Sequence, residues 1–189
     1  MKEKITEHSI RLFEEKGFSE TSIQDIVDSM GVTKGTFYYY FSSKEELLMD
    51  IHLRYIDELL SRQEQIMTDG QLSCKGKLFE IVYMLISSIK TKRSSAKIFF
   101  RELHNLSGDR LAQIVSKRDQ FRFNVEHLVT EGMDKREFRG DLNAAIVTFG
   151  ILGAANWSYH WFNPSGSYSD REVAGIFVDM ILKGVELHR

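Results

Sequence analysis

From Ser29 to Lys44 the chain reads SMGVTKGTFYYYFSSK, with two lysines, three consecutive tyrosines and no aspartate or glutamate. These residue types suit an anionic polymer that carries bases. Lysine ammoniums neutralise phosphates, and side chains at a helix N-terminus can reach base edges in a groove. Backbone N–H groups at the same end face phosphate. Thr33, Lys34, Gly35 and Thr36 would occupy that end of a short helix, with Gly35 allowing the backbone to come close. Tyr39 would be an exposed aromatic side chain on a short polar helix, while Phe37 and Phe41 are expected in the core.

The elements that must position these residues follow from the flanking pattern. A first helix is expected over about Lys2–Lys16, with Ile5, Leu12 and Phe13 on one face and Gly17 at its end. Thr21-Ser22-Ile23-Gln24 reads as a capping box with Thr21 as N-cap. Ile23, Ile26, Val27 and Met30 give the second helix its packing stripe. Gly31 marks a turn and Thr33 caps the third helix. Two short helices joined by a tight turn can deliver the second into a major groove. Ser43-Lys44-Glu45-Glu46 is a second capping box, opening a long helix towards Met67.

Behind this head the chain continues in helical pattern. Leu78, Phe79, Val82, Leu85, Ile86 and Ile89 form one buried face, and a polar break at Thr68-Asp69-Gly70 precedes it. Lys90-Thr91-Lys92-Arg93 forms a basic junction before Ile98-Phe99-Phe100-Arg101-Glu102-Leu103. Further helices are expected over about Asp109–Met133, Leu142–Phe162 and Asp170–Leu187. Ser169-x-x-Glu172 caps the last of them. No strand and no internal repeat is evident. The expected fold is all-α: a three-helix helix-turn-helix head over residues 1–46, joined to a larger helical body over 47–189.

Composition bounds the function. The chain has 42% hydrophobic and 28% charged residues and a net charge of −2, ordinary for a soluble protein. A DNA-binding reading meets an objection here, because residues 1–52 carry six basic side chains against ten carboxylates. All ten acids lie outside Ser29–Lys44, so the proposed contact surface is locally cationic. The single cysteine, Cys74, excludes an internal disulfide and a cysteine-based zinc site. The N-terminus lacks the apolar run of a signal peptide, and no stretch is long enough to span a membrane. A cytoplasmic location is expected.

Several enzyme signals fail. Gly70-x5-Gly76-Lys77-Leu78 has one residue too many for a phosphate loop and lacks the magnesium-binding hydroxyl. Ser87-x-x-Lys90 and Ser94-x-x-Lys97 have no companion motif. The six histidines, His8, His52, His104, His127, His160 and His188, show no metal-ligand spacing. No catalytic residue, cofactor or metal ligand is assigned.

The body is rich in aromatic residues. Trp157 and Trp161 share a helical face, Phe149 lies two turns earlier, and Phe99, Phe100, Phe121 and Phe123 lie upstream. This much aromatic area suggests an apolar cavity for a ligand, although each ring alone could be plain core. Lys90, Lys92, Arg93, Lys97 and Arg101 could hold phosphate groups, or could form a solvated basic face. Gly150, Gly153, Ala154 and Ala155 leave one helix with a small-residue face. With Val173, Phe177, Ile181, Leu182 and Val185 this face suggests a two-fold four-helix interface.

Gly31-Val32-Thr33-Lys34-Gly35-Thr36-Phe37-Tyr38, Tyr40-Phe41 and Lys44-Glu45-Glu46-Leu47 together resemble the DNA-binding module of TetR-family repressors. The resemblance implies a homodimer binding a palindromic operator, released by a hydrophobic effector. It implies phosphate contacts from Tyr38, Tyr40, Lys44, Thr21 and Ser22, and a groove-facing Tyr39. Asn156-Trp157-x-Tyr159-x-Trp161-Phe162-x-Pro164 also resembles the subset that answers to acyl-CoA thioesters, in fatty-acid or related lipid metabolism. The expected effector site is then Phe99, Phe100, Leu103, Phe121, Phe149, Trp157 and Trp161 for the chain, with Arg93 and Arg101 for the phosphates. The alternative is a TetR-like regulator of drug efflux that senses aromatic or cationic compounds.

Overall fold

A computed structural model describes residues 1–183, and among them every regular element is helical. The order is α1 (Lys2–Lys16), α2 (Ile23–Asp28), α3 (Lys34–Tyr40), α4 (Lys44–Thr68), α5 (Cys74–Ser87) and α6 (Ile89–Arg101). A 3₁₀ turn at Leu103–Asn105 leads into α7 (Gly108–Asp134), α8 (Ala144–Trp161) and α9 (Asp170–Lys183). The last helix is expected to reach Leu187; its part beyond Lys183, including Val185, lies outside the described residues. No described helix is long and apolar enough to cross a membrane.

The chain divides into two compact units. One comprises Met1–Asp57 with Lys92–Ser116; the other comprises Glu58–Thr91 with the described residues from Lys117 on. Sequence patterning draws a single boundary at residue 46. The grouping by contact gives the head a second stretch of chain, residues 92–116. Within α6, Lys92 has non-helical backbone (φ −130°, ψ 21°), so the expected basic junction is a kink inside one helix.

In the first unit, α1 packs on α2 and α2 on α3. Ile5, Phe13, Ile26, Val27, Phe37, Phe41 and Leu47 are all buried, as their helical spacing requires. Gly17 ends α1 with a positive φ of 88°. Gly31 makes the turn before α3 at φ 64°, which costs a residue with a Cβ considerably more, and Val32 N–H closes that turn on Val27 O at 3.0 Å.

Two caps differ from the sequence reading. The N-cap of α2 is Ser22, one residue later than expected: its hydroxyl receives Asp25 N–H, and the Asp25 carboxylate receives Ser22 N–H at 2.8 Å. Thr21 is turned inward, and the expected return from Gln24 is replaced by a bond to Asp28 at 2.6 Å. At α4, Ser43 does receive Glu46 N–H at 3.0 Å, but the Glu46 carboxylate reaches one residue further back, to Ser42 N–H at 2.7 Å. The Ser169/Glu172 box is reciprocal, at 2.7 and 3.2 Å.

In the second unit, α5 packs against α8 and α9, which also touch each other. Leu78, Ile81, Val82, Ile86, Ile151, Val173 and Val178 fill that contact. Gln63 is fully buried yet satisfied: its amide donates to Phe121 O at 3.0 Å and accepts from Asn124 at 2.8 Å, as a buried polar group requires.

Candidate nucleic-acid interface

Thr33 caps α3 as expected, its hydroxyl accepting Thr36 N–H. The helix is only seven residues long and buries one side chain, Phe37. Phe37 meets Phe41 at a centroid distance of 5.8 Å, which fastens the helix to the head. Everything else on α3 is available to a partner. Thr33, Lys34 and Gly35 are exposed, Thr36 and Tyr40 are half-buried, Tyr38 is 54% exposed and Tyr39 81%. Tyr39 and Tyr40 meet edge to face at 4.8 Å. A Cβ on Gly35 would come no nearer than 3.5 Å to Thr33 Oγ1, an ordinary contact. Nothing inside the protein therefore demands glycine there.

Two expected phosphate contacts are placed otherwise. Thr21 has no exposed surface; its hydroxyl donates to Gly17 O at 2.8 Å and Leu12 O at 3.4 Å. Its methyl and hydroxyl complete the α1–α2 turn, which is why the cap shifts to Ser22. Lys44, expected to be exposed, is half-buried. Its ammonium donates to Phe18 O at 2.6 Å, Thr21 O at 2.7 Å and Ser19 O at 3.4 Å. It also lies 4.3 Å from the Phe18 ring centroid. Burial pushes its pKa below the usual lysine value, against the pull of Glu20 and Asp25. Ser22 remains exposed, but its hydroxyl and N–H are both engaged by Asp25, whose carboxyl is held down at about 2 by those bonds.

The residues expected to bind effector are divided between the two units. Arg93, Phe99, Phe100, Arg101 and Leu103 belong to the first unit; Phe121, Phe149, Trp157 and Trp161 belong to the second. Phe99 is core, 3% exposed, with its ring 4.9 Å from Tyr55 and 5.5 Å from His52. Within the expected basic cluster, Lys90 pairs with Asp170 at 2.8 Å and Lys97 with Glu14 at 2.6 Å. Phe149, Trp157 and Trp161 stand on the surface of their unit, 58%, 60% and 50% exposed.

Sequence reasoning missed the cavity of the second unit. It measures about 510 Å³ and is lined by Leu78, Val129, Phe138, Val147, Ile151 and Leu182, among other residues. Lys75, Arg139 and Lys183 also line it, with Glu137 and Asp179. Its volume lies within the usual span of small-molecule sites, about 300–1,000 Å³. The walls come from residues 75–183, so local periodicity could not reveal it.

A capped recognition helix on a small helical head, carried by a chain with an all-helical body, defines a helix-turn-helix transcription regulator. The family models agree. Residues 5–51 match "Bacterial regulatory proteins, tetR family" and residues 71–185 match "Tetracyclin repressor-like, C-terminal domain". The chain belongs to the TetR family of transcriptional regulators, which are not enzymes. It is 26% identical to the HTH-type transcriptional repressor KstR2 of Rhodococcus jostii, over 92% of this chain and 85% of that protein. The structure of the regulator PfmR from Thermus thermophilus superposes with a TM-score of 0.88 at 27% identity, covering 97% and 99% of the two chains. AibR, solved with isovaleryl coenzyme A and operator DNA, shares the fold with a TM-score of 0.86 at 23% identity, covering 96% and 97%.

Proposed function

We propose that the protein is a cytoplasmic, homodimeric repressor whose α3 reads each half of a palindromic operator, and which a hydrophobic effector of the acyl-CoA thioester class releases. Residues 1–46 carry the DNA contacts in this reading, and residues 47–189 serve the effector and the dimer. The observation that carries the DNA part is the exposed, acid-free α3, fastened by Phe37 and Phe41 and leaving Lys34, Gly35, Tyr38 and Tyr39 outside.

The dimer part is supported by α8. This helix is apolar on both sides: Thr148, Ile151, Ala155 and Tyr159 are buried, while Ile146, Phe149, Trp157 and Trp161 are exposed. Gly153 lies on the exposed side, and a Cβ there would meet nothing within 4 Å, whereas Gly150 lines the 510 Å³ cavity. The smallness of Gly153 suits close approach by a second copy. Ile176 and Met180 of α9 are exposed as well. Contiguous apolar patches of this kind mark interaction sites.

The effector part is supported by the 510 Å³ cavity, whose walls are largely apolar and which Lys75, Arg139 and Lys183 line together with Glu137 and Asp179. An acyl chain suits the walls and the cations suit its anionic head; AibR, of the same fold, was solved with a CoA ester. A duplex selected by the protein from a random-sequence library, then challenged with CoA esters of rising chain length, tests the whole reading. Release by CoA esters and not by free acids is the expected result. Release by aromatic cations alone would favour the drug-sensing alternative.

A further inference from the structure

The Lys44 ammonium has three N–H donors, and three carbonyl oxygens of one turn surround it, those of Phe18, Ser19 and Thr21. These carbonyls lie in the turn between the end of α1 at Lys16 and the N-cap of α2 at Ser22. Phe18 O also receives Thr21 N–H at 3.3 Å, so lysine and backbone close the same turn. The Phe18 ring, buried against Phe13 at 5.2 Å, covers the ammonium from one side. The turn delivers the chain directly to Ser22, the N-cap of α2, and α2 carries α3.

We infer that Lys44 is a positioning residue rather than a phosphate contact: from the first turn of α4 it clasps residues 18–21, and so fixes the start of α2 and the pose of the recognition helix on DNA. The inference rests on the DNA-binding reading above and departs from the role that the family resemblance implies. A phosphate would have to displace three carbonyls and a ring face from the same ammonium. The charges acting on it from its surroundings, Glu20 and Asp25, are negative and would repel a phosphate.

Salt separates the two roles. A lysine that neutralises a phosphate releases a counterion, and its loss flattens the plot of log K against log salt by about 0.9. A clasp carries no such signature. The probe is a duplex selected by the parent protein from a random-sequence library. Lys44→Met should lower affinity about tenfold, equivalent to about 1.4 kcal/mol, with the slope unchanged. Lys34→Met, at an exposed position on α3, should flatten the slope and so shows that the assay detects a phosphate contact. A Lys44→Met slope flattened as much as that of Lys34→Met would overturn the inference.

A second measurement needs no folded variant of Lys44. In the free parent protein the ¹⁵N-labelled Lys44 ammonium should give a resolved NMR signal, slowed in exchange by its carbonyl partners, and the signal should persist with the same shift when duplex is added. A signal that broadens away in the free protein, or moves on DNA addition to the position of a phosphate-bound ammonium, would equally defeat the clasp. If the parent selects no duplex at all, the DNA reading falls, while the free-protein signal still decides whether the clasp exists.

Discussion

Glu45, in the first turn of α4, receives the backbone N–H of Ser107 at 3.0 Å across 62 residues of sequence. The Ser107 hydroxyl and the Arg110 guanidinium complete the site at 3.0 and 2.7 Å. Glu14 on α1 is bound in the same manner, by Lys97 at 2.6 Å and by the Ser94 hydroxyl. Two carboxylates of the head therefore hold residues 92–116, the stretch that shares its compact unit.

These bonds give the head an acid limit. The Ser107 amide holds the Glu45 carboxyl below its usual 4.5, and Ser22 holds Asp25 at about 2 against its usual 3.8. Both folded values are depressed, so their stabilisation is fully present above the unfolded values. It is lost as pH falls through the folded ones, between about pH 4.5 and about pH 2. Urea midpoints measured across that window should fall with pH, and Asp25→Asn should make the fall shallower. An Asp25→Asn profile parallel to the parent would show that the capping box does not contribute.

Gly35→Ala should separate folding from DNA binding. The added methyl meets only Thr33 Oγ1, at 3.5 Å, and alanine is favoured over glycine within a helix by up to about 1 kcal/mol. The variant should melt no lower than the parent and bind operator at least about tenfold more weakly. Tyr39→Ala, at an 81% exposed position, should likewise leave melting unchanged while weakening the selected duplex more than random DNA. Unaltered operator affinity in both variants would remove α3 from the interface.

Trp157→Glu should leave the subunit folded and split the dimer. The indole is 60% exposed within one chain, so the charge is tolerated there and, in the proposed dimer, is opposed by the second copy. An interface anchor is worth about 2 kcal/mol or more, or about thirtyfold in dissociation constant. Sedimentation of both proteins over a concentration series reads the change. A parent protein that is already monomeric at micromolar concentration would exclude the α8 face as the dimer seam.

Effector affinity should rise with acyl chain length, because each buried methylene contributes about 0.8 kcal/mol, close to fourfold, and should level off when the cavity is full. Arg139→Ala and Arg101→Ala can be compared in the same calorimetric series. A selective loss for CoA esters over free acids in Arg139→Ala places the head group at the cavity of the second unit. The same loss in Arg101→Ala would return it to the Arg93–Arg101 segment.

The sequence made local structure plain. The limits of α1, α4, α7 and α8 followed from periodicity and caps to within a residue or two, because capping and burial stripes are governed by neighbours three or four positions away. Thr33, Phe37, Phe41 and Tyr39 took the places their types implied. What escaped was set at long range. Thr21 and Ser22 are both good caps, and the choice went to Ser22 because Gly17 O and Leu12 O draw the Thr21 hydroxyl inward. Lys44 looks like a surface lysine until the carbonyls 23 to 26 residues earlier are in place. The run Lys90–Arg101 looks like one basic cluster, but Asp170 and Glu14 take Lys90 and Lys97 separately. The tryptophans read as cavity lining, and aromatic content alone does not reveal that Trp157 and Trp161 stand half exposed on α8.

The two carboxylate attachments of the head bear on how regulators of this type could be recombined. A chimaera joined after residue 46 would keep Glu14 and Glu45 but take Ser94, Lys97, Ser107 and Arg110 from a foreign chain. Such a graft would leave both acids without these partners. On the proposed reading the transplantable cassette is discontinuous: residues 92–116 belong with residues 1–57.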